Sequence, residues 1–532
     1  MTSATAAGPS ERHAASWMAV GTLLSRLTGF ARTAALLAVM GVTQLGNAYN
    51  TANTVPNLLL FLVTGGTLSA VFIPMLAREE DINRRRHVAE TIGGLILLLT
   101  VLASLLMLAT APLLARLFAL RVTGDAAAFV SVTTQWLVLF APQIACYGVS
   151  VYAVAVLNAH GRLALAGFTP VATNLVAIAA AVGYVLTGGP RSGDITELTT
   201  LPLVVLGVGT TLSVAAMAVP QLLGARRVLP GLRLRPRARF RDPAARRLWV
   251  LGRWTLLYVA VNQAGLFVVV TLANGVDGGT VAYQTAFAIM QLPFAIIAVS
   301  LFSAIYPRLS RAAGQTGRLF GATVSGGLRL SNALLIPSAV GLGVLAEPIA
   351  DLLVGYGVAR GSGAEFVAVA LRVFAVALVP FTVFQLLTRS YYALPDTRVP
   401  ALVNIVVNLV NVVAAFAAFT AFAQPRTQIA GLVGSFALSY VAGCVLLAVG
   451  LARRRSGCFA GAARATATAV VASVVMAVAL SISAAAWPPS QQVLAGFGRT
   501  GVLVAMGGVV YLGVAWALRS PELGELLKIR RA

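Results

Sequence analysis

The stretch 89–116, AETIGGLILLLTVLASLLMLATAPLLAR, decides which solvent this chain folds in. No ionisable side chain stands between Glu90 and Arg116. Such a run exceeds the ~20 apolar residues a helix needs to cross a hydrocarbon core. Just before it comes an arginine cluster, Arg84-Arg85-Arg86. The same alternation of apolar run and short loop continues in both directions. Applied along the chain, the length rule predicts fourteen spans, near 15–42, 48–76, 89–116, 127–157, 164–187, 201–224, 247–274, 279–306, 320–346, 365–390, 399–422, 428–452, 465–486 and 498–518. The expected fold class is an all-α polytopic membrane protein.

Composition supports this. Of 532 residues, 58% are hydrophobic and 10% charged, against about 25% charged in soluble domains. Mean hydropathy is +0.87. The net charge of +23 would suit a nucleic-acid partner, but its distribution argues against one. The arginines lie in short loops between apolar runs, as in proteins that mark their cytoplasmic side with positive charge. With the N-terminus inside, the basic loops 78–88, 225–246, 307–319 and 453–464 and the tail with Lys528, Arg530 and Arg531 all fall inside. The acidic loop 188–200, with Asp194 and Glu197, falls outside. Both termini are therefore expected in the cytoplasm. The N-terminal segment shows no clear signal-peptide cleavage pattern.

The sequence also contains a copy of itself. Ala48-Tyr49-Asn50-Thr51-Ala52 recurs as Ala282-Tyr283-Gln284-Thr285-Ala286, and Asn174-Leu175-Val176 as Asn408-Leu409-Val410, both offset by 234 (282 − 48; 408 − 174). Ile73-Pro74 echoes Tyr306-Pro307 at 233 (307 − 74). Spans one to six thus pair with seven to twelve. An even number of spans per copy keeps both copies in one orientation, a plan common among transporters. The expected organisation is a tail (1–14), a six-span lobe (15–224), a basic linker (225–246), a second lobe (247–452), two added spans with their basic loop (453–518), and a tail (519–532).

Ionisable residues inside a span are costly and point to function. Arg26 and Arg32 lie within the first span, and no Asp or Glu lies deep in any span. Guanidinium matches phosphate oxygens bidentately, so the pair suits a phosphate-bearing cargo. Arg329 and Arg372 lie nearer helix ends, where snorkelling explains them. Asn50, Asn53 and Asn57 form a polar stripe, as do Asn404, Asn408 and Asn411. Such stripes suit either a wet cavity or interhelical hydrogen bonds. Pro56, Pro74, Pro293, Pro307, Pro337 and Pro380 can kink or end helices. Cys146, Cys444, Cys458, His13, His87 and His160 lack metal-ligand spacing. No phosphate-binding loop or nucleophile–base constellation exists, so the sequence predicts a transporter rather than an enzyme, without cofactor, metal or nucleotide hydrolysis.

Several motifs resemble the MurJ (MviN) lipid II flippases. They are Leu24-Ser25-Arg26-Leu27-Thr28-Gly29-Phe30-Ala31-Arg32, Val55-Pro56-Asn57-Leu58-Leu59 and Gly66-Thr67-Leu68-Ser69-Ala70-Val71-Phe72-Ile73-Pro74. So are the stretch from Gly327 through Pro337-Ser338-Ala339-Val340-Gly341 to Gly355-Tyr356-Gly357, and Tyr392-Ala393-Leu394-Pro395-Asp396-Thr397-Arg398-Val399-Pro400. The resemblance implies the multidrug/oligosaccharidyl-lipid/polysaccharide exporter fold: two six-helix lobes around a cationic cavity, plus two helices forming a groove for a polyprenyl tail. It implies lipid II, or a related polyprenyl-diphosphate saccharide, as cargo, moved from the inner to the outer leaflet of the cytoplasmic membrane by alternating access. Membrane lipids and cell-wall synthesis and division proteins are the implied partners, with no nucleic acid. Arg26, Arg32 and Ser25 match the family's first-helix residues. On this reading the head group meets Ser25, Arg26, Arg32, Asn50, Asn53 and Asn57, with Gln284, Asn404 and Asn408 lining the second lobe. The pattern resembles an actinobacterial branch. It departs from the family at Asn47, Leu60 and Ala288, where many members carry an acidic residue, an arginine and an arginine. Three alternatives stay open: a flippase for another polyprenyl-linked saccharide, a multidrug antiporter of this fold, and a non-transporting cell-wall scaffold.

Overall fold

A computed structural model describes residues 9–64, 72, 76, 79, 81–236, 242–314, 317–355, 357–359, 362–488, 493–522 and 524. Among these there is no strand. The long helices are α1 (Pro9–Met40), α2 (Gln44–Thr64), α3 (Ile82–Phe118), α4 (Ala126–Ala159), α5 (Leu163–Leu186), α6 (Thr200–Val228) and α7 (Pro243–Ala273). They continue as α8 (Gly279–Ala313), α9 (Gly317–Val344), α10 (Ser362–Ala393), α11 (Arg398–Ala421), α12 (Pro425–Arg454), α13 (Ala462–Ala486) and α14 (Val493–Ala517).

Thirteen helices among the described residues are long and apolar enough to cross a membrane. The remaining long helix, α2, corresponds to the expected span 48–76. Its 21 residues carry Gln44, Asn47, Asn50, Asn53 and Asn57, which make it polar for its length. The expected helix start near residue 15 moves back to Pro9, since proline is well tolerated in a first turn. The loop expected over 347–364 contains a short helix, Ala346–Val354. Pro56, Pro293, Pro307, Pro337 and Pro380 all lie inside helices; Pro74 falls outside the described residues. Pro293 immediately precedes a π-helical turn, Phe294–Ala298, which interrupts α8.

The chain forms two compact units, 1–264 and 265–532, that divide within α7. In the first unit α4 packs on α2, α3 and α6, and α5 packs on α1 and α6. In the second, α10 packs on α8, α9 and α12, and α11 packs on α12. Adding six to each helix number turns most of the first set into the second, so the duplication is structural. The rings repeat too. Tyr49 meets Phe140 edge-on at 5.6 Å, and Tyr283 meets Phe374 at 5.1 Å. Both residues of the second pair are offset by 234 from the first (283 − 49; 374 − 140).

The two cores are built differently. In the first unit, hydrogen bonds join helices across a polar seam. Ser150 donates to Gln221 Oε1 at 2.5 Å, and Gln221 Nε2 donates to Thr169 Oγ1 at 2.6 Å. Such bonds hold helices together where lipid supplies no hydrophobic drive between them. In the second unit Phe374, Phe381, Phe436 and Tyr440 form a ring cluster, with centroids 4.6–6.0 Å apart.

The added helices pack on the second unit. α13 lies on α9, and α14 on α13. Their joint core contains Leu345, Met476, Leu480, Leu503 and Tyr511. The buried Arg499 holds the end of α13: Nε donates to Trp487 O at 2.7 Å and Nη2 to Ala484 O at 2.9 Å. A cation suits the carbonyl end of a helix.

Asp396 starts α11. Its carboxylate accepts from the N–H groups of Arg398 and Val399, each at 3.1 Å, and from Arg454 Nη1 at 2.7 Å. Burial pushes its carboxyl up. The Arg454 bond and the two backbone N–H groups outweigh that and hold it below the ordinary value of 3.8. Because the folded value is the lower one, the carboxylate's contribution is complete above 3.8 and is lost as pH falls through the folded value. Replacing Asp396 with asparagine is expected to cost about 1 kcal/mol at neutral pH. Thermal unfolding of both proteins across an acidic pH series checks this: the gap should close as pH drops. A gap that stays constant would remove the carboxylate from the account.

Candidate functional site

The site predicted on α1 begins with a tie to α5. Asn174 Nδ2 donates to Ser25 O and to Thr28 Oγ1, both at 3.0 Å. Gly29 lies against this tie; a Cβ there would stand 3.5 Å from the same nitrogen, an ordinary contact. The second unit repeats the device, because a Cβ on Gly265 would collide with Asn408 Oδ1. In each unit an asparagine from the fifth helix of the repeat meets a glycine of the first. The repeat in sequence marked both asparagines; their partners, far away along the chain, were not visible there.

On α1 so fixed, Arg26 is exposed and Arg32 half-buried. Six residues separate them, ~9 Å along the axis and ~120° around it. Arg32 is within electrostatic range of Tyr49 on α2 and Tyr147 on α4. Tyr147 in turn hydrogen-bonds with Asn57. Tyr49 is fixed from behind. Thr210 gives its only hydroxyl proton to Leu206 O at 2.7 Å, so the Tyr49 hydroxyl donates to Thr210 Oγ1 at 2.8 Å. Trp136 and Phe140 clasp its ring edge-on. The structure thus brings Arg32, Asn57, Tyr49 and Tyr147 together. Tyr147 was missed by sequence reasoning, because a lone tyrosine in an apolar run carries no distinguishing pattern.

The amide stripes divide. On α2, Asn50, Asn53 and Asn57 are all half-buried. Asn50 donates to Gly46 O at 2.9 Å and Asn57 to Asn53 O at 3.1 Å, bonds within their own helix. On α11, Asn404, Asn408 and Asn411 are buried. Asn408 donates to Asn404 O at 3.0 Å, and Ser435 on α12 donates to Asn411 Oδ1 at 2.9 Å. That stripe joins helices. Gln284 is half-buried on α8. Leu60 is buried and Ala288 exposed.

Among the described residues neither Arg26 nor Arg32 takes part in an ion pair, in contrast to Arg372 with Glu347, Arg426 with Glu365 and Arg454 with Asp396. Two guanidinium groups on one apolar helix, with no ion pair among the described residues, have the chemistry to attract an anion.

Known proteins resemble this chain over most of its length. A family model described as "Lipid II flippase MurJ" matches residues 36–497, a range that begins after Arg32. The lipid II flippase MurJ of Burkholderia cenocepacia is 26% identical over 440 residues, covering 81% of this chain and 82% of that protein. A probable lipid II flippase MurJ of Rhizobium tropici is 26% identical over 521 residues, covering 95% and 94%. Among solved structures, a lipid II flippase MurJ in an inward closed conformation superposes with a TM-score of 0.73 at 16% identity, over 94% of this chain and 98% of that one. An inward-facing multidrug-resistance MATE transporter of the MOP superfamily gives 0.64 at 15% identity, over 80% and 95%. At such identities the structural likenesses speak for the fold alone.

Proposed function

The chain belongs to the lipid II flippase MurJ family, and on that premise we propose that it carries lipid II from the inner to the outer leaflet of the cytoplasmic membrane. Movement is by alternating access, without nucleotide hydrolysis, and both termini face the cytoplasm. Arg26 and Arg32 engage the diphosphate, while the α2 amides and Tyr147 meet its polar surroundings. Arg32 carries this reading: it is a half-buried guanidinium within electrostatic range of Tyr49 and Tyr147, with no ion pair among the described residues. The arginine loops support the orientation through the positive-inside rule. Two negative charges moving across the membrane couple to its potential at ~2.3 kcal/mol per charge per 100 mV.

The test is depletion of the protein in its native cell, with labelled lipid II assayed at the outer leaflet. Exposure is expected to fall while precursor builds up inside. Normal exposure in fully depleted cells lacking any second flippase would overturn the proposal.

A further inference from the structure

The two halves of α8 bury different faces. Before the π turn at 294–298, Ala282, Ala286, Ile289 and Met290 are buried, while Ala288 and Leu292 are exposed. After it, Leu301, Phe302, Ile305 and Leu309 are buried, while Ser300, Ser303 and Pro307 are exposed. Each α-helical residue turns ~100°. An unbroken α-helix would therefore carry the exposed face from Ala288 and Leu292 on through Val299, Phe302 and Tyr306. Phe302 instead lies inside, 2% exposed, with its ring 6.2 Å from Phe294 and 4.5 Å from the Arg389 guanidinium. The π turn accounts for the difference. Within it the Val299 N–H donates to Phe294 O, five residues back rather than four. One residue is thereby inserted into the helix, and everything after it is rotated by about 100°.

The face turned outward is polar. Ser300, Ser303, Pro307 and Arg311 follow one another at steps of three, four and four residues. The exposed side of α13, by contrast, is Val470, Val471, Val474, Val475 and Val478, as a surface meeting lipid should be. Ser300 gives its hydroxyl proton to Ile296 O at 2.7 Å, and Ser303 gives its own to Val299 O at 2.8 Å. Each hydroxyl oxygen is left with lone pairs to offer. Pro307 has no N–H to give the carbonyl of Ser303. Ser300, Ser303 and Pro307 together thus present oxygens that accept hydrogen bonds and no side-chain proton.

We propose that this face receives the saccharide of the cargo's head group, and that the π turn is what aims it. The inference rests on the flippase reading above. Phosphate oxygens accept hydrogen bonds and belong with guanidinium groups. The hydroxyl and amide groups of a sugar donate them and match acceptors. One head group is then sorted by chemistry, with its diphosphate on Arg26 and Arg32 and its sugars on Ser300 and Ser303. The half of α8 before the turn exposes Ala288 and Leu292, which offer a sugar nothing.

The test reads cysteine reactivity toward a water-soluble maleimide in proteoliposomes. It uses a Cys146→Ala/Cys444→Ala/Cys458→Ala chain that melts like wild type, carrying one new cysteine at a time. Ser300→Cys and Ser303→Cys should label readily, whereas Phe302→Cys, Leu309→Cys and Val474→Cys should not. Lipid II at about ten times its Kd should slow labelling of Ser300→Cys and Ser303→Cys about tenfold. Undecaprenyl diphosphate, which lacks the sugars, should leave it unchanged. Asn53→Cys on α2 reports the rest of the proposed site. If lipid II protects Asn53→Cys but neither serine position, this inference is wrong and the flippase reading stands. The same holds if undecaprenyl diphosphate protects the serine positions as well as lipid II does. If lipid II protects none of the three, both fail. Labelling of Phe302→Cys and Leu309→Cys in place of the serine positions would overturn the role given to the π turn.

Discussion

Cells whose only copy carries Arg26→Ala or Arg32→Ala are expected to lose outer-leaflet exposure of lipid II while keeping normal amounts of the protein in the membrane. Both halves follow from placement. Arg26 is exposed and Arg32 half-buried, and neither is in an ion pair among the described residues. Removing either therefore leaves no buried partner charge, which is the usual source of large folding losses. What disappears is a charge-assisted contact to phosphate, worth about 1.5–3 kcal/mol, or roughly 10–100-fold in affinity. Arg26→Lys and Arg32→Lys keep the charge and lose the planar fork, so their activity should fall between wild type and alanine. The measurements are the labelled-lipid exposure assay and quantitation of membrane protein. Wild-type exposure from both alanine variants would remove α1 from the proposed site.

The largest expected effect on folding lies elsewhere, at Gly93. A Cβ there would stand 2.5 Å from Tyr152 Cε2 and 2.8 Å from Leu234 Cδ1. Tyr152 cannot simply swing away, because it is buried and stacks on Phe72 at 6.0 Å. Gly93→Ala should therefore cost about 1–3 kcal/mol by overpacking. Gly93→Val adds two methyl groups and should leave little folded protein. Fluorescence-detected gel filtration after heating measures both. Adding Tyr152→Leu removes the ring and should recover part of the loss in Gly93→Ala. If Gly93→Val melts like wild type, α3 and α4 do not approach as closely as described.

Most of the fold was legible because lipid leaves few choices. A backbone in hydrocarbon must satisfy its own hydrogen bonds, so a long apolar run can be read as a helix. The repeat was legible because pairs such as Tyr49–Phe140 and Tyr283–Phe374 keep equivalent positions. The start of α2 was not: the expected span begins four residues late, at 48 rather than Gln44, because Gln44 and Asn47 dilute the apolar signal there. Nor was the π turn at 294–298, whose residues FAIIA look like any apolar helix. The candidate site was legible only as far as charge is. Arg26 and Arg32 stand out in an apolar span, but Tyr147 and the Asn174 tie depend on contacts between distant segments. The two asparagine stripes look alike in sequence, yet one is half-exposed and the other buried, because facing inward or outward depends on neighbouring helices. The attachment of Arg499 to the carbonyls of α13, which joins residues 12 and 15 positions apart, was not legible either.

The Asn174 tie also constrains how the first helix can travel. One amide nitrogen holds both a main-chain carbonyl and a hydroxyl of α1, so sliding α1 along α5 by one turn would break both bonds together. At about 1 kcal/mol each, that amounts to a latch with a single release step. The proposed arginine carriers should then move as cargo of a rigid α1–α5 pair, and Asn174→Ala should raise amide exchange around Ser25 before it changes anything else.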